Sequence, residues 1–167
     1  CGYPTLKDKE LYELIYTALQ DHQQLLAHCN GDAAAEQYIT QFEKVLHDHP
    51  QLDSMRPVMI HAQLVRKDQL ERMKKIHMIP SFFIAHTFYW GDIHIENFGL
   101  ARASLISPAK DAIDLNIPFT FHQDTPVLPP DMLKTLWCAV NRQTQNGVTL
   151  GENERITIQE ALKAITI

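Results

Sequence analysis

Four short apolar runs, "QQLLAHC" (23–29), "RPVMIHA" (56–62), "MIPSFFIAH" (78–86) and "IPFTFHQ" (117–123), are separated by segments of helical character. This alternation constrains the fold more tightly than anything else in the chain. In "GDAAAEQYITQFEKVLHDH", Tyr38, Ile39, Phe42, Val45 and Leu46 form one apolar stripe behind Asp32, which lies near the N-cap, and Pro50 follows the helix end. In "KDQLERMKKIH", Leu70, Met73 and Ile76 point inward. A first helix at about 7–20 presents Leu11, Leu14, Ile15, Ala18 and Leu19 on one face. After the third run the sequence predicts a longer loop, "TFYWGDIHIENFG", and short helical pieces over 99–115. After the fourth it predicts the Pro-rich loop "DTPVLPPD" and a helix, "DMLKTLWCAVNRQ". "TIQEALKAI" closes the chain with Thr157 and Glu160 at capping-box spacing.

Parallel neighbours in a sheet require a crossover, and the intervening helices supply it, so the expected class is α/β with about four parallel strands. No linker, low-complexity segment or sequence repeat divides the 167 residues, which read as a single domain.

Each predicted strand ends in a possible metal ligand. His28, His61 and His86 close the first three, and the fourth ends in His122 with Asp124 two residues on. Parallel strands bring their C-terminal ends to one face, so these distant residues are expected to converge. Successive histidines lie 33, 25 and 36 residues apart (28 to 61, 61 to 86, 86 to 122). That is close to the ~31 per unit expected when ~250 residues make eight β/α units, so four units account for half a (β/α)8 TIM-type barrel. Neutral imidazoles with a carboxylate suit zinc or a related divalent ion, which lowers the pKa of a bound water and polarises the bond under attack. Asp124 is the candidate catalytic residue, accepting the proton from such a water and passing it on. His122 has the same strand parity as Asp124 and is a candidate substrate contact. His22, His47, His49, His77 and His94 are read as solvated residues at helix ends or in loops.

Composition excludes other classes. The net charge of −5 comes from 15 basic and 20 acidic residues scattered along the chain, with neither a basic stripe for nucleic acid nor a polybasic membrane patch. No apolar run approaches the roughly 18 residues of a membrane span. Cys1, Cys29 and Cys138 make an odd count without a CxxC pair, which fits a reducing, cytoplasmic setting rather than a disulfide framework. Cys29 reads as a buried small hydrophobe, with a nucleophile or ligand as the alternative. The chain opens on Cys1 and stops on "EALKAITI", so it is expected to be a piece of a longer protein.

Six motifs occur in order: "HCNGDAA" (28–34), "RPVMIHAQ" (56–63), "IPSFFIAH" (79–86), "NFGLARA" (97–103), "FHQDTPVLPP" (121–130) and "LGENERITIQEALKAIT" (150–166). Together they resemble the C-terminal part of the metal-dependent amidohydrolase superfamily, in the family 3 branch that includes N-substituted formamide deformylase-like enzymes. The resemblance implies the C-terminal half of a barrel whose parent binds one or two divalent ions, most simply zinc. His28 and His61 match the metal ligands ending the fifth and sixth strands. His86 matches a substrate-facing position after the seventh. Asp124 matches the eighth-strand aspartate that binds metal and shuttles the proton. Asp32 matches the acid of a His-x-x-Gly-Asp motif, where a cap and a catalytic role remain alternatives.

Two departures stand out. The eighth-strand motif, often Gly-Ser-Asp, is here His122, Gln123, Asp124, which implies a bulkier, more polar pocket. The family's first-strand His-x-His pair and the bridging residue of its fourth strand have no counterpart in this chain. The expected function is therefore part of a hydrolase cleaving an amide or other non-peptide carbon–nitrogen bond in a small molecule, inactive by itself. The rival is a non-catalytic half-barrel that binds a ligand or partner and dimerises, and exposed strand edges favour a homo-oligomer on either reading. An open doubly wound domain is a weaker alternative, since no GxGxxG loop is present.

Overall fold

The computed structural model describes residues 3–166, so Cys1 lies outside the described residues. Four parallel strands, β1 (Leu26–Cys29), β2 (Val58–His61), β3 (Ile79–Phe82) and β4 (Thr120–Phe121), form one sheet in chain order. Helix α1 (Asp8–Gln20) precedes them, and α2 (Asp32–Asp48) and α3 (Lys67–Lys75) cross from β1 to β2 and from β2 to β3. The α/β arc with crossover helices is thus the expected one. Its order runs one way without reversing, which is the pattern of a barrel wall and leaves no switch point of the doubly wound kind.

The third crossover differs from the expected loop. Most of residues 87–99 fall in α4 (His86–Tyr89) and α5 (Gly91–Phe98), followed by α6 (Leu100–Ala103) and α7 (Ala109–Asp114). Strand β3 also stops four residues short of His86, because the chain turns at Phe83, whose carbonyl accepts from His86 N at 3.1 Å. Phe83, Ile84 and Ala85 are all buried. An unbroken apolar run reads the same whether it continues as strand or folds into a buried turn. His86 therefore begins a helix instead of ending a strand.

The helix stripes follow the 3.6-residue period. Ile15, Ala18 and Leu19 of α1 are buried, although Leu14 of the expected stripe is 54% exposed. In α2 Tyr38, Ile39, Phe42 and Val45 are buried, and Asp32 is its first residue, next to the N-cap Gly31. Register splits the strand residues between two faces. Met59 and then Cys29, Phe82 and Phe121 enter the helix-covered core, whereas His28, Ile60, Ser81 and Thr120 share the opposite face. Burial pushes the Cys29 thiol up to about 12, so the residue serves as a small apolar side chain and not as a thiolate. Cys138 is likewise buried and free.

After β4 come α8 (Met132–Asn141), a 3-10 turn (Glu152–Glu154) and α9 (Ile158–Thr166). The predicted capping box is present, with Thr157 N donating to Glu160 at 2.7 Å and Glu160 N to Thr157 Oγ1 at 3.3 Å. Arg142 ends α8 with φ 47° and is fully buried. Its guanidinium donates to the carbonyls of Leu150 (2.7 Å), Ser107 (3.1 Å) and Ile106 (2.7 Å), with a longer bond to Ser104 (3.4 Å). One side chain thereby ties the 104–107 turn to the "LGENER" segment. Gly151 has φ +75°, and a Cβ there would lie 2.0 Å from Ser104 O, so only glycine allows this approach. No helix among the described residues is long and apolar enough to cross a membrane.

Candidate metal centre

His28, His61, His122 and Asp124 all lie at the C-terminal ends of the strands. Strict alternation would place His61 with its register partners Cys29 and Phe82 on the helix side. Its φ of 72°, followed by 45° at Ala62, takes the backbone out of extended geometry, and its ring instead packs edge-on against His28 at 4.5 Å. The same ring lies 4.9 Å from that of His122. His122 follows β4 directly and stays in the ladder, donating its N–H to Phe82 O at 3.1 Å. Asp124 turns with φ 53° and is exposed.

The ligand atoms of His61, His122 and Asp124 all lie within 4.8 Å of one another. His122 Nε2 is 3.1 Å from His61 Nδ1, while its Nδ1 meets Ser81 Oγ at 2.9 Å, itself bonded by Thr120 Oγ1 at 2.9 Å. A ligand imidazole commonly has its second nitrogen held in this way, which leaves Nε2 for the ion. His28 stands outside this triad but touches it through His61. Gln123 is buried on the other side, bonded to Asp131 and Thr135 at the start of α8. Of the departures at this motif, His122 lines the site and Gln123 anchors the strand end. Asp32 pairs with Arg102 at 3.0 Å and accepts from Ala33 N at 2.9 Å, a structural engagement at the start of α2.

Burial favours the neutral form of His61 and His122. His61 is shifted below its ordinary value by burial and by His28, with Asp124 opposing. His122 is pushed down to about 4 by burial and His61, again opposed by Asp124. Neutral rings are the form a metal requires, so the donor set fits a divalent ion.

A second cluster adjoins the first. His86 Nδ1 lies 3.2 Å from His94 Nε2, which also meets Gln63 Nε2 at 2.8 Å. His86 stacks beside Trp90, and His94 on Phe98. His94 is therefore half-buried in a contact network and is not the solvated loop residue expected. The sequence signal was present in residues 86, 90, 94 and 98, aromatic or imidazole side chains at every fourth position, the stripe of a helical stretch. Gln63 and Ser81 had no such signal. His86 is driven down to about 3 by burial and by His94, His61 and His122.

These depressed values carry a pH prediction. An unfolded histidine takes up a proton near pH 6.5, while folded His122 and His86 do so only near 4 and 3. The unfolded state thus binds more protons in between, and stability falls as pH is lowered from about 6.5. Thermal unfolding of chelator-treated protein at pH 7.5 and 4.5 should give a markedly lower Tm at 4.5; equal values would refute the buried neutral pair.

An arc of parallel strands with imidazoles and a carboxylate gathered at its C-terminal end defines an α/β chain of half-barrel form with a candidate divalent-metal centre. The chain belongs to the amidohydrolase family, whose family model matches residues 1–167. An uncharacterized metal-dependent hydrolase from Pyrococcus furiosus is 27% identical with a TM-score of 0.77, over 96% of this chain and 31% of its own. One from Pyrococcus horikoshii OT3 is 25% identical with a TM-score of 0.82, over 98% of this chain and 32% of its own. An A. niger ochratoxinase, 20% identical with a TM-score of 0.60, shares the fold over 96% of this chain and 33% of its own. The chain thus spans about a third of the length of these proteins. Among curated proteins, none matches it.

Proposed function

We propose that this chain is the C-terminal part of a metal-dependent hydrolase of the formamide deformylase-like branch, cleaving an amide or other non-peptide carbon–nitrogen bond in a small molecule. The observation that carries the reading is the convergence of His61, His122 and Asp124 at the strand ends. When bound, a divalent ion, zinc by preference for this donor set, supplies Lewis-acid chemistry and activates water. His61 and Asp124 are its central ligands. His28, taken from the resemblance, and His122, taken from the geometry, bring the donors to four. A catalytic zinc usually takes three protein ligands and an open position, so this set can serve one ion or a share of two. Asp124 accepts the proton of the attacking water and returns it to the leaving nitrogen. His86 faces the substrate, and His122 lines the same cleft wherever it is not ligating.

Residues 1–167 are one partial barrel domain on this reading. Its inner face carries Leu26, 60% exposed, beside the half-covered Val58. Apolar residues on a barrel's inner side belong to a packed interior, which the parent's remaining strands supply. By itself the chain is inactive and associates with copies of itself through its open edges. Nucleic acid and membranes are not its partners, and its free buried thiols suit the cytoplasm.

The experiment is a zinc titration by calorimetry with an amidase assay, on the 167-residue chain and on the parent. Expected are weak binding and no turnover by the chain, with tight binding and turnover by the parent. A parent that binds no divalent ion and hydrolyses no amide returns the chain to the rival reading, a non-catalytic binding module. Robust turnover by the chain alone refutes the partial-site reading.

A further inference from the structure

We infer that Gln63 and His94 are positioning residues that set the tautomer of His86, leaving its Nε2 as a hydrogen-bond acceptor for a donor on the substrate. The inference rests on the reading above that His86 faces an amide substrate, and it adds what that substrate must present.

Gln63 follows His61 by two residues, in the turn after β2, and is buried. Its amide nitrogen is a donor only, and it sits 2.8 Å from His94 Nε2. His94 Nε2 must then accept, and the proton of a neutral His94 resides on Nδ1. That Nδ1 is sealed from solvent without a partner, so this tautomer leaves one buried N–H unbonded, a cost set against the contacts that Nε2 makes with Gln63 and His86. The stack on Phe98, 5.5 Å between centroids and 9° from parallel, holds its plane.

The consequence passes to His86. Its Nδ1 lies 3.2 Å from the same unprotonated His94 Nε2, so this contact is a hydrogen bond only if His86 Nδ1 carries the proton. A neutral imidazole has one proton, and His86 Nε2 therefore keeps its lone pair. Among the described residues that nitrogen has no hydrogen-bond partner, and it is not one of the sealed unpaired atoms. It is therefore exposed, on a ring whose centroid lies 6.5 Å from that of His61. An acceptor at this point selects a substrate with an N–H or O–H near the scissile bond; in an amide the natural donor is its own N–H. A secondary amide offers that proton, and an N-methylated amide does not.

Long-range 15N NMR of the histidine rings in the full-length protein, with His86 assigned by its loss in His86→Asn, reads the tautomer directly. Expected is Nδ1–H with a bare Nε2. Gln63→Glu replaces the donor by an acceptor, which moves the His94 proton to Nε2 and should invert His86 to Nε2–H. His94→Phe keeps the stack and removes the acceptor, so the two His86 tautomers should mix. An Nε2–H tautomer in the unaltered protein, or one unchanged in both variants, overturns the inference. The kinetic arm compares a secondary amide with its N-methyl analogue. The unaltered protein should prefer the former by about tenfold in kcat/KM, the value of one hydrogen bond to a buried polar group, and Gln63→Glu, which inverts the tautomer, should bring that preference to near unity. Equal rates on both amides with the Nδ1–H tautomer in place overturn the substrate assignment. If neither amide is turned over, the hydrolase reading fails, while the tautomer still stands or falls by NMR.

Discussion

Asp124→Asn is expected to lower turnover by the parent hydrolase about 100- to 10,000-fold, the range that general acid–base catalysis contributes. Asparagine keeps the shape of the side chain but removes the anionic ligand and the proton acceptor together. The loss should leave folding intact, because Asp124 is exposed and its segment is anchored by Gln123, not by its own side chain. Asp124 also raises the proton affinity of His61 and His122. In the variant both imidazoles should therefore titrate lower still, which histidine NMR can follow alongside kcat and zinc content. A variant with near-normal kcat and full zinc occupancy refutes the role. His28→Ala and His122→Ala, assayed in parallel for zinc affinity, decide which imidazole is the third ligand.

Arg142→Met is expected to destabilise the protein by on the order of 4 kcal/mol, measured from urea unfolding. Methionine fills most of the volume and is apolar, yet it leaves the carbonyls of Leu150, Ser107 and Ile106 without their donor inside the protein. Each buried polar group deprived of its partner costs about 1–3 kcal/mol. The left-handed backbone at Arg142 affects both residues alike and drops out of the comparison. Burial lowers the Arg142 pKa to about 10, so the guanidinium remains charged at neutral pH, with Glu154 opposing the shift. Set against a typical domain stability of about 5–15 kcal/mol, such a loss is severe. Arg142→Lys should recover only part of it, because one ammonium cannot span acceptors spread around a planar fork. A change below about 1 kcal/mol for Arg142→Met would show that water or a local shift satisfies these carbonyls.

Much of this architecture was legible in the residues. The two periodicities separate strand from helix without reference to anything distant, so α1, α2, α3 and α8 and the strands β1 and β2 fall where the apolar spacing puts them, while β3 ends early, at Phe82. The position of potential ligands at the strand ends was equally local. The stretch from His86 to Phe98 was misread because its fourfold spacing is carried by histidines and aromatics, which do not register as an ordinary apolar stripe. Arg142 gave no sign at all, since a lone arginine after a helix ordinarily points to solvent.

The sequence by itself determined the alternation of elements, the parallel class of the sheet and the potential ligands His28, His61 and His122 at the ends of the first, second and fourth strands, because these depend on side-chain chemistry and short-range spacing. Only the tertiary structure decided which of those residues meet. His61 joins His28 and His122 because its backbone turns to positive φ, a conformation that surrounding packing imposes and that spacing cannot encode. Gln63 reaches His94 from the turn after β2, 31 residues away, and Arg142 finds its carbonyls because two distant turns close around it. Contacts between segments far apart in the chain are set by burial and register across the whole sheet, and no local pattern carries them.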